Sequence, residues 1–230
     1  MCRILALCGL AICSAYGGNC QGAPIISAVI DGADYSNSFV VTPIAQGYSI
    51  TASVSNSLFT FAFDATTSAD PGINYSLSIG GDPTVDIIIT QFYLGTYPSF
   101  AGSSHATITD ASQDAHASML GSPFINNTFV DGLLVGQYDT GCDLTGTPGF
   151  TATCPSSQFQ GLASSSIGPT HTMELEIAFT LSDGDFATLN GSAALSVPEP
   201  ATGALLASGL LAAGLALRRR GRADAYRVLH

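Results

Sequence analysis

The sequence has almost no positive charge outside its two ends. It contains no lysine, and residues 4–217 contain no arginine either. A chain without cationic side chains cannot form the basic groove that holds phosphates, so we expect no nucleic acid partner. It also lacks the lysine that a P-loop, a Schiff base or a Ser-x-x-Lys site requires. The protein is acidic, with a formal charge of −11. Because it has no lysine, it cannot belong to several large enzyme classes.

Other catalytic signatures are absent as well. No Gly-x-Ser-x-Gly motif occurs. His105, Asp110, Asp114 and His116 form the one local group of histidines with carboxylates, but their spacing matches no zinc signature. A metal site is the alternative to a solvated polar loop at these positions. We predict that the protein is not an enzyme and uses no cofactor.

Cysteine is scarce in the main part of the chain. Four of the six cysteines lie in the first 20 residues, which leaves Cys142 and Cys154. The segment between these two is rich in turn-forming residues, and an even pair in an exported protein favours a disulfide. A two-cysteine metal site is the alternative, but no Cys-x-x-Cys spacing or nearby histidine supports it.

The first 22 residues have the organisation of a secretory signal peptide. Arg3 precedes an apolar stretch over residues 4–12, and small residues follow, with Ala15 and Gly17 at a plausible cleavage signature. Cleavage after Gly22 is a second option, and a first core strand or helix is the structural alternative. We predict that residues 1–22 are a signal peptide and that the protein is exported.

The C-terminal segment combines an apolar run with an arginine cluster. Residues 201–217 carry no charge and would span about 26 Å as a helix, the short end of what crosses a bilayer. The arginine cluster follows directly and consists of Arg218, Arg219, Arg220 and Arg222. The positive-inside rule places this cluster in the cytoplasm. A buried core helix and a permanent membrane anchor are the alternatives to a segment that is removed.

The residues before this run are Val197, Pro198, Glu199 and Pro200. Two prolines in four residues preclude a regular helix or an inner strand, so an extended and exposed tetrapeptide is expected. Motif, apolar helix and basic cluster, in this order, resemble the PEP-CTERM sorting signal of Gram-negative bacteria. The resemblance covers about residues 196–222 and does not extend to the body of the protein.

The resemblance implies a partner and a destination. Proteins with this signal are recognised by a membrane-embedded exosortase, which is thought to cut near the Pro-Glu-Pro motif. We therefore expect transient anchoring in the inner membrane through the C-terminal helix, followed by delivery to the cell surface. Extracellular polysaccharide is a further partner that the resemblance implies. The expected organisation is a signal peptide (1–22), an extracytoplasmic domain (23–195), a sorting signal (196–222) and a cytoplasmic tail (223–230).

The body reads as β-structure throughout. In residues 171–181 apolar side chains alternate with polar ones, and Ser-Asp-Gly-Asp at 182–185 predicts a hairpin turn to a last strand. Residues 73–79 and 84–94 predict two more strands, and SITASV and LFTFAFDA predict an antiparallel pair. Residues 113–119 could form a short helix or part of a long loop. No helical period occurs outside the two terminal segments.

These patterns predict an all-β fold, an antiparallel β-sandwich of about eight to ten strands. A single-sheet barrel and a β-solenoid are the alternatives, and the lack of an internal repeat counts against the solenoid. Two functions fit such a body. One is a structural or adhesive surface or matrix protein; the other is a lectin-like or calcium-dependent ligand-binding sandwich.

The second function rests on two sets of candidate residues. Exposed tyrosines would supply stacking platforms for sugars, and the candidates are Tyr93, Tyr97 and Tyr138. Carboxylates spaced two or three residues apart in turns would suit calcium, and the candidates are Asp31 with Asp34 and Asp183 with Asp185. Because Asp-Gly is first of all a turn signal, turns are the simpler explanation of the second set.

Overall fold

The computed structural model describes residues 22–68, 71–94, 97, 99–162, 171–182 and 184–196. These residues all belong to a compact unit, Met1–Ser196, and a second unit, Val197–His230, lies outside them. Residues 1–21 of the predicted signal peptide, the Pro-Glu-Pro motif and the arginine cluster are therefore outside the described part of the chain. Among the described residues, no helix is long and apolar enough to span a membrane.

The described chain is built from sixteen strands and one short 3-10 helix, Ser36–Ser38. The first eight strands are β1 (Ile25–Ile30), β2 (Ala33–Asp34), β3 (Val40–Ile44), β4 (Gly47–Ser55), β5 (Phe59–Ser68), β6 (Gly72–Gly81), β7 (Thr84–Tyr93) and β8 (Ser99–Thr109). The others are β9 (His116–Leu120), β10 (Asn126–Val130), β11 (Leu133–Tyr138), β12 (Gly141–Thr145), β13 (Thr151–Thr153), β14 (Ser157–Leu162), β15 (His171–Leu181) and β16 (Asp185–Ser196).

The strands form two antiparallel sheets that face each other as a sandwich. The front sheet has the order β11, β10, β15, β7, β1 and β2, with β9 on β15 and β12 on β9. The back sheet has the order β13, β8, β16, β6, β5, β4 and β3, with β14 also on β8. The all-β sandwich predicted from the sequence is confirmed. The strand count exceeds the expected eight to ten because short edge strands such as β2 and β13 carry no alternating pattern of their own.

Alternation of apolar and polar side chains positions the core. On β15, Met173, Leu175 and Ile177 point inward and are fully buried, while the residues between them lie on the outer face. Strands β7 and β5 show the same two-residue period. Because successive side chains of a strand point to opposite faces, one alternating sequence builds one wall of the core.

Two short connections, one of which was predicted as a hairpin turn, cross between the sheets. β15 lies in the front sheet and β16 in the back sheet, although only residues 182–184 separate them. β6 and β7 are divided in the same way. The prediction of a β15–β16 hairpin was wrong, because a short polar turn signals a change of direction but not whether the next strand pairs with the previous one. The predicted pair β4–β5 does form a hairpin.

Two polar contacts of buried tyrosines cross the core between the sheets. The hydroxyl of Tyr75 on β6 donates to Oδ1 of Asn126 on β10, and the hydroxyl of Tyr138 on β11 donates to the carbonyl of Ser192 at 3.0 Å. Glycines make room for the two rings: a Cβ on Gly191 would lie 2.5 Å from the Tyr75 hydroxyl oxygen. Burial of polar groups with partners fixes the relative register of the facing sheets.

A disulfide joins Cys142 to Cys154, with 5.6 Å between the Cα atoms. Cys142 belongs to β12 of the front sheet. The amide of Cys154 donates to the carbonyl of Ala106 on β8 of the back sheet, at 2.9 Å. Although the two cysteines are only 12 residues apart in sequence, the bond therefore links one sheet to the other.

Replacing both Cys142 and Cys154 by serine should destabilise the protein by about 3 kcal/mol, because a loop of this size is no longer closed in the unfolded chain. Urea unfolding would show a lower midpoint for the double variant. Reductant should lower the midpoint of the wild type to the same value and leave the variant unchanged. Equal midpoints for the wild type with and without reductant would contradict the expected stabilisation.

Candidate functional site

The histidine and carboxylate group near residue 110 does not converge on one point. His105 lies exposed on the outer face of β8, whereas Asp110 is buried at the end of that strand. His116 begins β9 in the other sheet, and its Nε2 lies 2.7 Å from Oδ1 of Asp143. Within the described ranges, no group of three or more His, Cys, Asp or Glu side chains is placed to hold a metal ion.

Asp110 instead holds a loop in place. Its Oδ1 accepts hydrogen bonds from the hydroxyl of Ser112 and the amide of Asp114, at 3.1 and 3.2 Å. Its Oδ2 accepts from the amides of Ala115 and Gly149, both at 2.9 Å. Burial acts to raise the pKa of Asp110, but hydrogen bonds to the ionised carboxylate outweigh it and lower the pKa. The carboxylate thus fastens residues 110–115 to the turn before Phe150.

Residues 113–119 form the end of this loop and most of the strand β9. Gln113 and Ala115 have left-handed backbone angles, with φ of 63° and 71°, and β9 begins at His116. The helical alternative for this segment was wrong. The loop and strand form because the Asp110 carboxylate binds amides that a helix would use internally.

The carboxylates proposed for calcium serve turns and loops. Asp31 and Gly32, with φ of 50° and 75°, form the two-residue turn between β1 and β2. Oδ1 of Asp31 accepts from the amide of Thr84 at 2.8 Å. A hydrogen bond from the side chain of Ser36, with one from its amide, lowers the pKa of Asp34. Asp185 accepts from the amide of Ala111 at 3.1 Å, and Asp183 lies outside the described residues.

The three candidate tyrosines are buried, so the prediction that they form exposed platforms was wrong. Tyr93, Tyr97 and Tyr138 keep 2%, 4% and 2% of their surface. Tyr93 and Tyr97 pack edge to face with ring centroids 5.2 Å apart, and burial raises the pKa of both Tyr93 and Tyr138. Tyr93 and Tyr138 are the last residues of β7 and β11, and Tyr97 lies between β7 and β8. At a strand end or in a connection, the alternating pattern does not indicate whether a side chain faces solvent or the core.

A second buried cluster lies at the far end of the front sheet. Nδ1 of His171 is 2.8 Å from Oδ2 of Asp131, and the His171 ring stacks on Tyr93 with centroids 5.4 Å apart. Oδ1 of Asp131 accepts from the amide of Thr172 at 2.9 Å. Because His171 is nearly inaccessible to solvent, this pair positions the end of β15 beside the turn between β10 and β11.

The outer face of the back sheet is a regular surface of the described chain to which none of these roles applies. We call it the hydroxyl face. Its outward side chains are mostly those of serine, threonine, asparagine and glutamine, and its exposed or half-exposed members include Thr42, Ser49, Thr51, Ser53, Ser55, Thr60, Thr66, Asn74, Ser76, Ser78, Ser103, Thr107, Thr188, Asn190 and Ser192. The alternating sequence of the back strands predicts that these residues point outward. It does not indicate a function for them, because serine and threonine are common on any sheet surface.

Strand register arranges the hydroxyl face in rows. One row runs Ser103, Ser192, Asn74, Thr66 and Ser49 across five strands, and the hydroxyls of Ser103 and Ser192 lie 2.8 Å apart. Neighbouring strands are about 4.8 Å apart, so polar groups repeat at that interval along a row.

Phe186 is the large aromatic side chain of the hydroxyl face. It retains 39% of its surface, and its ring lies over Gly80, where an added Cβ would be 3.1 Å from Cδ2 of Phe186. A shallow groove of about 200 Å³ adjoins the ring and is lined in part by Ser53, Ser55, Thr60 and Ser78. Sequence alternation in β16 could have identified Phe186, because it is out of phase with the buried Ala187 and Leu189.

Charge is distributed unequally between the two outer faces. On the described back strands, Asp64 and His105 are the outward titratable side chains. The front sheet presents Asp86, Glu174 and Glu176 on neighbouring strands β7 and β15, and Oε2 of Glu176 accepts a hydrogen bond from Asn127 at 2.9 Å. The hydroxyl face is thus close to uncharged in a strongly acidic protein.

At neutral pH, Asp110→Asn should destabilise the fold, because an amide can no longer accept hydrogen bonds through both atoms. Urea unfolding between neutral and acidic pH would measure the effect. The pKa of Asp110 is lowered from its ordinary value of 3.8, so its stabilisation is present above that pH and lost as the pH falls toward the folded value. The gap between wild type and variant should therefore narrow in acid.

Asp64→Asn provides the matched control for this experiment. Asp64 is exposed on the outer face of β5, so its replacement should leave the urea midpoint nearly unchanged at each pH. If Asp110→Asn and Asp64→Asn had the same midpoint at neutral pH, the role assigned to Asp110 would be wrong.

Comparison with solved structures gives only distant similarities. A carbohydrate-binding module studied for specific mannan recognition is 6% identical over 76% of this chain and 100% of its own, with a TM-score of 0.27. The GH31 alpha-xylosidase of Xanthomonas citri is 8% identical over 75% of this chain and 28% of its own, with a TM-score of 0.18. TM-scores of this size establish neither a shared fold nor a shared function.

Comparison with curated proteins gave no match. Comparison with protein families gave a match at the C-terminal end, where residues 196–220 fit the family described as the PEP-CTERM protein-sorting motif. The resemblance seen in the sequence is confirmed, and the body matches no other family. The chain therefore carries the sorting signal of an exported protein that an exosortase processes.

Proposed function

We propose that this protein is a non-catalytic surface or matrix component that an exosortase delivers. In this proposal the apolar run at residues 201–217 anchors the chain in the inner membrane for a limited time. Cleavage near residues 197–200 then frees the β-sandwich, which associates with extracellular polysaccharide as a structural or adhesive element.

One observation carries the proposal: the sorting motif begins where the last described strand ends. The family match starts at residue 196, and Ser196 is the last residue of β16. β16 pairs with β8 up to Ser196, so the last described strand ends at the residue where the family match begins. A cut in the next few residues would remove the apolar and basic segments and leave every described strand intact.

The roles of the described titratable groups support a non-catalytic body. Asp110 and Asp185 hold a loop, Asp31 closes a turn, and His171 is buried against Asp131. A general acid or base must reach a substrate proton in an accessible site. The buried carboxylates and the His171 imidazole form hydrogen bonds that stabilise the fold instead.

Ligand binding is the second candidate function, and the hydroxyl face favours it. The tyrosine platforms expected from the sequence are buried, but Phe186 supplies an exposed ring among hydroxyl groups. This alternative is compatible with sorting to the surface, because the sorting signal determines only where the body is delivered.

The sorting proposal predicts a new C-terminus near residues 197–200 in the surface form of the protein. Mass spectrometry of that form should detect it in cells that contain the exosortase, and intact chain should accumulate in cells that lack the enzyme. Replacing Glu199 by glutamine should reduce processing at least several-fold, since the motif loses its one charge.

Glu174→Gln is the matched control, because Glu174 lies on the outer face of β15, away from the motif in sequence. This variant should be processed like the wild type. Finding Arg218 to Arg220 intact on the mature surface protein would overturn the proposal and identify the segment as a permanent anchor.

A further inference from the structure

The hydroxyl face has the chemistry of a surface for neutral polar ligands. Serine and threonine hydroxyls both donate and accept hydrogen bonds, and asparagine and glutamine side chains offer separate donors and acceptors. Sugar hydroxyls need partners of both kinds. A regular row such as Ser103, Ser192, Asn74 and Thr66 supplies them at intervals of about 4.8 Å.

The charge distribution indicates a neutral rather than an anionic ligand. Fifteen of the 17 acidic residues lie between Asp31 and Asp185, in a segment with no lysine or arginine. The field of this body repels anionic polymers. A neutral polymer meets no such repulsion, and on the hydroxyl face it would displace water mainly from uncharged groups, since Asp64 and His105 are the outward titratable side chains of the described back strands.

Phe186 provides the apolar contact that hydroxyl groups cannot supply. An aromatic face packs well against the C–H groups on one side of a pyranose ring, while polar groups around it fix the orientation of the ligand. The ring of Phe186 rests over Gly80, and Ser53, Ser55, Thr60 and Ser78 surround the adjoining groove.

A second groove on the same face favours a polymer over a single sugar. It has a volume of about 200 Å³ and is lined in part by Ser103, Gln158, Gln160 and Ser192. Phe186 and Ser192 are six residues apart on β16, which corresponds to about 20 Å along an extended strand. An extended chain can contact both grooves at once, and two weak contacts on one ligand reinforce each other.

We propose that the hydroxyl face binds a neutral polysaccharide, with Phe186 stacking on a sugar ring and the surrounding hydroxyl and amide groups forming hydrogen bonds. The binding site lies on the strands β8, β16, β6, β5 and β4. The inference deepens the proposed association with extracellular polysaccharide, and it rests on that function only for its biological setting.

Binding can be measured apart from sorting. The full-length chain, purified in a mild detergent from cells that lack an exosortase, would be tested for retention on amylose, cellulose and galactan, with alginate as the anionic comparison. We expect retention on at least one neutral polysaccharide that persists in about 0.5 M NaCl, where charge interactions are screened within a few ångströms. Failure of cleavage in cells would not affect this result.

Two pairs of variants locate the site. Phe186→Ala should weaken retention about five- to tenfold, the size expected for loss of one aromatic stacking contact. Leu134→Ala is its control. It removes an apolar side chain that is 49% exposed on β11 of the front sheet, and it should bind like the wild type.

The second pair tests a hydroxyl group. Thr60→Ala should weaken binding less than Phe186→Ala does. Its control, Thr180→Ala on the outer face of β15, should have no effect. Equal urea midpoints would show that each variant is folded.

Four results would overturn the proposal. The first is that the protein is retained on none of the three neutral polysaccharides, and the second is that folded Phe186→Ala is retained as strongly as the wild type. The third is that the protein binds only alginate, and only when calcium is present. The fourth is that sedimentation detects a dimer that Phe186→Ala abolishes. The last result would assign the hydroxyl face to a second copy of the chain. In each case the sorting proposal would stand, because it depends on residues outside this face.

Discussion

Buried carboxylates in this protein are held by hydrogen-bond donors of the main chain and of serine, because the body has no lysine or arginine to pair with them. Asp110 takes three amides and a hydroxyl, and Asp139 takes a serine hydroxyl and the amide of Gly141. Among the described residues, the two ion pairs both use histidine. Each carboxylate therefore fixes the main chain around it, and loops that would otherwise be mobile are part of the folded structure.

The same constraint separates the two outer faces. The front sheet carries outward carboxylates at Asp86, Glu174 and Glu176, and one of them, Glu176, accepts a hydrogen bond from Asn127. The back sheet presents hydroxyls and amides in their place, which need no counter-charge. One face of the sandwich is consequently acidic and the other nearly neutral.

The sequence predicted the sandwich because alternation over long strands such as β15 requires that one side of each strand be buried, and a barrel remained the alternative. It could not predict the crossing of β15 to β16, since a Ser-Asp-Gly-Asp turn is equally compatible with pairing and with a change of sheet. The sorting motif was recognisable because its signal is contiguous. The hydroxyl face was not, because its members lie on distant strands and only register brings Ser103, Asn74 and Ser49 into one row.

Removal of the tail changes the electrostatics of what remains. All the arginines except Arg3 stand at or after position 218, whereas 15 carboxylates stand between positions 31 and 185. Cleavage at the motif would leave a body with no cationic side chain apart from its histidines, and copies of such a body repel one another. In the proposed association with a matrix, the net charge of the body would repel an anionic polymer and give no attraction to a neutral one. The proposed contact therefore uses a surface that is nearly uncharged, the rows of hydroxyls beside Phe186.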